Sequence, residues 1–289
     1  MRVDAHQHFW RPSRGDYGWL TPQAHPAICR KFLPPDLEPL LLDAGIERTI
    51  LIQAAPTEAE TEYLLGLAAE TPFVAGVVGW ADLEAPGAPA RIAAMAKNRK
   101  LLGLRPMLQD LDDDAWILRP GVAPALEAME AASLTLDALV TPRHLPHLTR
   151  LIAERPELPV VIDHGAKPDI AGGGLADWAA AMREIGRNSA TFCKLSGLVT
   201  EATARWREED LRPYADVLLE AFGAKRLMWG SDWPVVNEAG GYAAWHSAAE
   251  ALMAGCSESE RSLIFGWTAQ HFYGFSSLIN AEDAPDRRA

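Results

Sequence analysis

Apolar and β-branched residues gather in eight short runs along the chain: RVDAHQHF, RTILIQA, FVAGVVGW, LLGLRPML, LTLDALV, PVVIDH, TFCKLSG and RLMWGSDW. Runs of this length and composition read as buried strands. Between them lie segments with apolar residues every three or four positions, such as DLEPLLLDAG, TEAETEYLLGLAAE, GVAPALEAMEAA and LRPYADVLLEAFG, which read as amphipathic helices. Nearly continuous apolar strands alternating with helices predict a parallel sheet covered by helices. Eight such units predict a closed (β/α)8 barrel. An open, doubly wound sheet is the alternative, but no glycine-rich phosphate turn follows the first strand to support it.

The connections point to one end of that barrel. Joins from helix to strand are terse (AGIE, ETP, RPEL, FGAKR). Segments from strand to helix are long, above all WRPSRGDYGWLTPQAHPAICRKFLPP after the first strand, QDLDDDAWILRP after the fourth and GAKPDIAGGG after the sixth. Barrel enzymes build their sites from the loops that follow strands, so function is expected on that rim. Past Trp233 the pattern gives helices around YAAWHSAAEALMAG and SESERSLIFGWTAQHFY, then a polar stretch expected to fray. Residues 1–275 are read as one barrel domain and 276–289 as a polar tail.

Composition narrows the partners. The chain has 289 residues, 48% of them hydrophobic and 23% charged, as in globular proteins, and a formal net charge of -12. Nucleic-acid binding leaves a basic footprint, and none is present. Cys29, Cys193 and Cys256 are odd in number, lie far apart and form no CxxC, so neither a disulfide framework nor a cysteine zinc site is expected. No leader pattern opens the chain and no apolar run approaches a membrane span. The reading is a cytoplasmic protein without nucleic-acid or membrane partners; a homo-oligomer is compatible with it.

Collecting the polar residues at predicted strand ends gives His6 and His8 on the first strand, Gln53 on the second, Arg105 on the fourth, His164 on the sixth, Lys194 on the seventh and Asp232 on the eighth. Residues i and i+2 of a strand share a face, so His6 and His8 are expected to project together, roughly 7 Å apart at Cα. Two histidines on a buried strand are costly without partners. In a closed barrel all of these side chains converge, and imidazoles with a carboxylate suit a single zinc ion that keeps a position for water. Asp232 also reads as a helix cap, and His25, His144, His147, His246 and His271 as surface or core residues. Trp10, Trp80, Trp229, Trp233, Tyr17 and Trp19 lie near the same rim. Several aromatics around one mouth suit a cyclic polyhydroxyl ligand, its hydroxyls on Gln53, Gln109 or Arg105.

The segments DAHQHFW, GLRPMLQD, VIDHGAKP, CKLSGLVTEA and LMWGSDWPV, in that order, resemble the amidohydrolase superfamily, and more narrowly its amidohydrolase-2 branch, which contains sugar lactonases acting on L-fucono- and L-rhamnonolactone. The likeness runs from the first strand to about Tyr273. It implies a distorted (β/α)8 barrel that hydrolyses an aldono-1,4- or 1,5-lactone to the aldonic acid in carbohydrate catabolism. His6, His8 and His164 carry over as metal ligands or carbonyl polarisers, and Asp232 as general base and then acid. Where binuclear relatives carry a bridging lysine after the fourth strand this chain has Arg105, and its fifth strand offers no histidine, so at most one divalent ion is expected and catalysis without metal stays open. Arg105, Lys194, Gln53, Gln109 and Trp10 are assigned to substrate, and Trp19 to closing the pocket. Metal-dependent decarboxylases and lactone isomerases of the same branch, and a barrel that only binds a sugar acid, are the alternatives.

Overall fold

A computed structural model describes residues 1–275; the expected tail, 276–289, lies outside the described residues. Eight strands follow one another around the sheet: β1 (Val3–Gln7), β2 (Arg48–Ile52), β3 (Val74–Gly79), β4 (Leu101–Leu104), β5 (Thr135–Ala138), β6 (Val160–Ile162), β7 (Phe192–Leu195) and β8 (Leu227–Trp229). Every neighbouring pair is parallel. The helices α1 (Pro34–Ala44), α2 (Glu58–Glu70), α3 (Ala88–Met95), α4 (Ala123–Ala131), α5 (Leu145–Glu154), α6 (Ala176–Asn188), α7 (Glu208–Phe222) and α8 (Tyr242–Leu252) alternate with them. This is the predicted barrel, with one helix following each strand.

Closure between β8 and β1 is partial, which is the expected distortion. The two strands meet only beyond β8, through His8 N–H to the Trp233 carbonyl (2.7 Å) and Asp232 N–H to the His6 carbonyl (2.8 Å). Gly230 allows the approach, because a Cβ there would lie 2.7 Å from the His6 Cβ.

A large apolar core fills the layer between strands and helices. A smaller one inside the barrel takes Val3, Ala5, Ile50, Ile52, Val78, Leu102, Val161 and Met228. Its lower end is plugged by Ala269 and Tyr273 of a last helix, α10 (Thr268–Tyr273). The long helix expected there is instead α9 (Glu258–Ser262), a π-helical stretch over Leu263–Trp267, and α10. Gly266 in that stretch lies against the Met1 carbonyl, where a Cβ would come within 2.2 Å. The chain's own start therefore packs onto this turn.

Candidate active site

The histidine pair reaches the interior through an irregularity, since simple alternation would place His6 with Asp4. Val3 and Ala5 face inward with Ile50 and Ile52, whereas Gln7 faces the helix layer, its side chain donating to Thr49 Oγ1 (3.1 Å). Between Asp4 and Gln7, β1 carries one more residue than the facing part of β2, so the register shifts. Such a bulge re-aims side chains next to sites. Ala5 and His6 consequently both point inward, and His8, just past the strand, joins His6 with 3.2 Å between their Nε2 atoms.

Gln53, Arg105 and Asp163 follow directly on β2, β4 and β6; His164 comes one residue later and Asp232 three residues after β8. Both His164 and Asp232 lie on strained backbone. His164 (φ 53°), Gly165, Ala166 (φ 62°) and Lys167 (φ 49°) form a left-handed turn, and Asp232 has φ 57°. Left-handed conformations are disfavoured for residues with a Cβ and cluster where surrounding contacts impose them. Here Ser196 Oγ, 2.9 Å from His164 Nδ1, and the Trp178 indole, which donates to the Gly165 carbonyl (2.7 Å), hold the turn.

Three imidazoles fan around one carboxylate oxygen. Asp232 Oδ1 lies 3.2 Å from His8 Nε2, 3.7 Å from His6 Nε2 and 3.9 Å from His164 Nε2. Burial lowers the pKa of all three histidines, to about 4 for His164, so they are neutral at neutral pH. Burial alone would raise Asp232, but His164, His8 and His6 outweigh it and hold this carboxyl well below the usual range. His8 Nδ1 faces the Ile52 carbonyl oxygen at 2.9 Å and must carry the ring proton, which leaves the His8 Nε2 lone pair facing Asp232 Oδ1. Two acceptors at 3.2 Å call for a positive centre between them. Buried imidazole nitrogens with a carboxylate are the donor set of zinc. Two groups, His6 with His8 and Asp232, and His6 with Asp163 and His164, bring their ligand atoms within 4.8 Å of one another.

Beneath this fan lies a charged layer built on Arg105 and Lys194, whose other members, Asp137, Asp163 and Tyr273, the sequence reading missed. Lys194 Nζ donates to Asp137 Oδ2 (2.6 Å) and to His6 Nδ1 (3.3 Å) and pairs with Asp163 Oδ1 (2.9 Å). Tyr273 donates to the same Asp137 oxygen (2.5 Å). Arg105 pairs with Asp163 Oδ2 (3.3 Å), donates to the Gln53 carbonyl and comes within 3.4 Å of His6 Nε2. Burial would raise Asp163, but Lys194, His6 and Arg105 hold it well below the ordinary carboxylate value. Asp4, also missed, accepts from His6 N–H (3.1 Å), Ser231 N–H (2.8 Å) and the Tyr242 hydroxyl (3.2 Å), tying the histidine strand to the segment that carries Asp232.

The residues assigned to substrate lie as follows. Lys194 has no exposed surface, and its ammonium meets Asp137, Asp163 and His6. Trp10 is fully buried, its ring stacked 6.0 Å from that of His8 and its N–H on the Ile28 and Arg30 carbonyls. Trp229 and Trp233 are likewise core residues, so the expected aromatic platform is not formed by them. Gln53 is buried, donating to the Arg105 carbonyl (2.7 Å), with its Oε1 unengaged. Gln109 is half-buried and meets Leu139 and Arg143 through its backbone. Trp19 stays at the rim, donating to the Ala54 carbonyl (2.8 Å) and packing edge-on against His25, whose Nδ1 pairs with Glu238 at 3.0 Å. The first loop is thus fastened to the segments after β2 and β8. Lys167 pairs with Glu201 at 3.8 Å.

Known proteins share this architecture. A family model described as Amidohydrolase matches residues 3–275. An L-fucono-1,5-lactonase of Burkholderia ambifaria is 48% identical over 280 residues, covering 94% of this chain and 95% of that protein. An L-fucono-1,5-lactonase of Burkholderia multivorans is 38% identical, covering 97% and 98%. A crystal structure of an amidohydrolase from Burkholderia multivorans with bound zinc superposes with a TM-score of 0.90 at 38% identity, covering 96% of this chain and 100% of that one. The match over residues 3–275, with relatives 48% and 38% identical over nearly the whole chain, places the chain in the amidohydrolase family.

Proposed function

We propose that the protein hydrolyses a sugar lactone of the L-fucono-1,5-lactone type to its aldonic acid. The observation that carries the reading is an anionic carboxylate, Asp232, set among three neutral imidazoles at the mouth of the barrel. Relatives at 48% and 38% identity bear the name of that activity.

Lactone hydrolysis adds water to the ring carbonyl and releases the ring oxygen as a hydroxyl. Asp232 takes the proton of the attacking water, the new C–O bond forms, and the carbonyl electrons move to oxygen. Arg105, within 3.4 Å of His6 Nε2, is the cationic donor beside the place where that charge grows, with any N–H that His6 or His164 presents there. When the tetrahedral species collapses, the ring C–O bond breaks and Asp232 returns its proton to the leaving oxygen. His6, His8, His164 and Asp232 are the residues that would hold one zinc ion, which when bound supplies Lewis acidity to the carbonyl and lowers the pKa of water. Trp19 and the loop fastened through His25 to Glu238 keep bulk water from the opened ring.

The reading places the enzyme in sugar-acid catabolism in the cytoplasm; its three cysteines are all free, and no helix among the described residues is long and apolar enough to cross a membrane. The test is acid release, followed with a pH indicator, from L-fucono, L-rhamnono, L-galactono and D-arabinono lactones of both ring sizes, with and without chelation. Turnover within one stereochemical group is the expected result. Silence across the panel, with carbon dioxide released from an aromatic acid, would replace hydrolysis by decarboxylation.

A further inference from the structure

His6 stands between two groups that want opposite things from the same nitrogen. Its Nδ1 lies 3.3 Å from Lys194 Nζ, which can only donate, and 3.5 Å from Asp163 Oδ1, which can only accept. The nearer contact is with Lys194, while Asp163 Oδ1, fully buried, is paired with the Lys194 ammonium at 2.9 Å and accepts no hydrogen bond from His6. With Nδ1 accepting, the single proton of neutral His6 must sit on Nε2. That proton has a receiver, since His8 Nε2 is bare and 3.2 Å away. Donors then run in one direction, from Lys194 through His6 and His8 to the Ile52 carbonyl. With the proton on Nδ1 instead, bonded to Asp163, His6 Nε2 is left to accept from Arg105, 3.4 Å away, so each tautomer has partners on both nitrogens.

We propose that Lys194 and Asp163 compete for His6 Nδ1 and so decide what His6 offers the pocket. Held by Lys194, His6 presents an Nε2–H donor, suited to a carbonyl oxygen and unable to bind a metal. Held by Asp163, His6 carries its proton on Nδ1 and presents an Nε2 lone pair, suited to a metal ion. The exchange moves one proton between two nitrogens of one ring and leaves the net charge unchanged. Lys194 keeps Asp137 and Asp163 as partners throughout, so the exchange costs it one weak bond. Lys194 is a positioning residue acting through His6, and the inference concerns the ring itself, whatever the substrate.

Imidazole nitrogen resonances of histidine-labelled protein, with His6 assigned by difference from His6→Gln, report the tautomer directly. In chelated wild type, His6 is expected as Nε2–H; on addition of zinc chloride it is expected to become Nδ1–H. Lys194→Met should give Nδ1–H without metal and tighten zinc binding about tenfold, whereas Asp163→Asn should keep Nε2–H and weaken zinc binding by a similar factor. An Nδ1–H tautomer in chelated wild type overturns the proposal, as does a folded Lys194→Met protein with unchanged tautomer and zinc affinity. The wild-type spectrum decides even if Lys194→Met does not fold. Lactone turnover enters none of these readings, so failure here is distinct from failure of the lactonase proposal.

Discussion

Gly197 lies directly against the imidazole of His164: a Cβ at that position would come within 2.6 Å of His164 Nδ1 and 2.7 Å of its Cγ. The glycine also has φ 65°, in the left-handed region. The KLSG segment therefore supports two histidines from one strand end: Lys194 beneath His6, Ser196 bonded to His164, Gly197 leaving room for that ring. Gly197→Ala must move the imidazole or the turn. Stability should fall by about 2 kcal/mol from the backbone penalty and the clash. Displacing a site group by about an ångström lowers kcat/KM by roughly 100-fold. Urea unfolding together with steady-state kinetics checks both.

Asp232→Asn keeps the side chain's shape and removes its ability to take a proton. The mutant amide can donate to the bare His8 Nε2 that now faces a carboxylate oxygen at 3.2 Å, so the fold should be undisturbed. Turnover should fall by roughly 10²–10⁴, the range of a lost general base. Near-normal activity in a folded Asp232→Asn protein would remove Asp232 from proton transfer.

Trp19 reaches across the first loop, with its indole N–H on the Ala54 carbonyl and its ring against His25. Trp19→Ala should release the loop without touching the imidazole fan. The expected signature is a KM raised about tenfold with a smaller change in kcat. An unchanged kcat/KM would mean the loop does not shield the reaction.

Much of this site can be read in the sequence because its motifs are dense: HxH, the histidine of DHGAKP, KLSG and GSD all contribute groups to one centre. Two of its supports left traces that went unread. Asp137 interrupts an otherwise apolar strand, LTLDALV, and a buried carboxylate there requires a partner, which proves to be Lys194. Asp163 stands next to His164, but only the short sixth strand and the left-handed turn after it show that the two point to different neighbours. Tyr273 gave no sign at all, since its role depends on a terminal helix folding back under the barrel. The inward turn of His6 depends on a bulge: strand periodicity rightly pairs His6 with His8, but it would also put Asp4 on the same face.

His164 gives the fold a separable dependence on pH in the metal-free protein. Its pKa falls from the ordinary 6.5 to about 4, burial being the main cause. A group depressed in this way contributes stability that is complete above its unfolded pKa and is lost as pH falls through the folded value. Between about pH 7.5 and about pH 5 the loss should be about 2 kcal/mol. Asp4, raised by burial to about 6, and Glu60, raised to about 7, act in the opposite sense, adding stability at low pH that disappears as pH rises through those values. His6 and His8, also depressed by burial, act in the same sense as His164, so the whole-protein profile sums opposing groups and His164 is seen only by difference. Urea unfolding of chelated wild type and His164→Gln across this window should give two curves that converge as pH falls. Parallel curves would mean that His164 is no more buried as an uncharged ring in the folded state than in the unfolded chain.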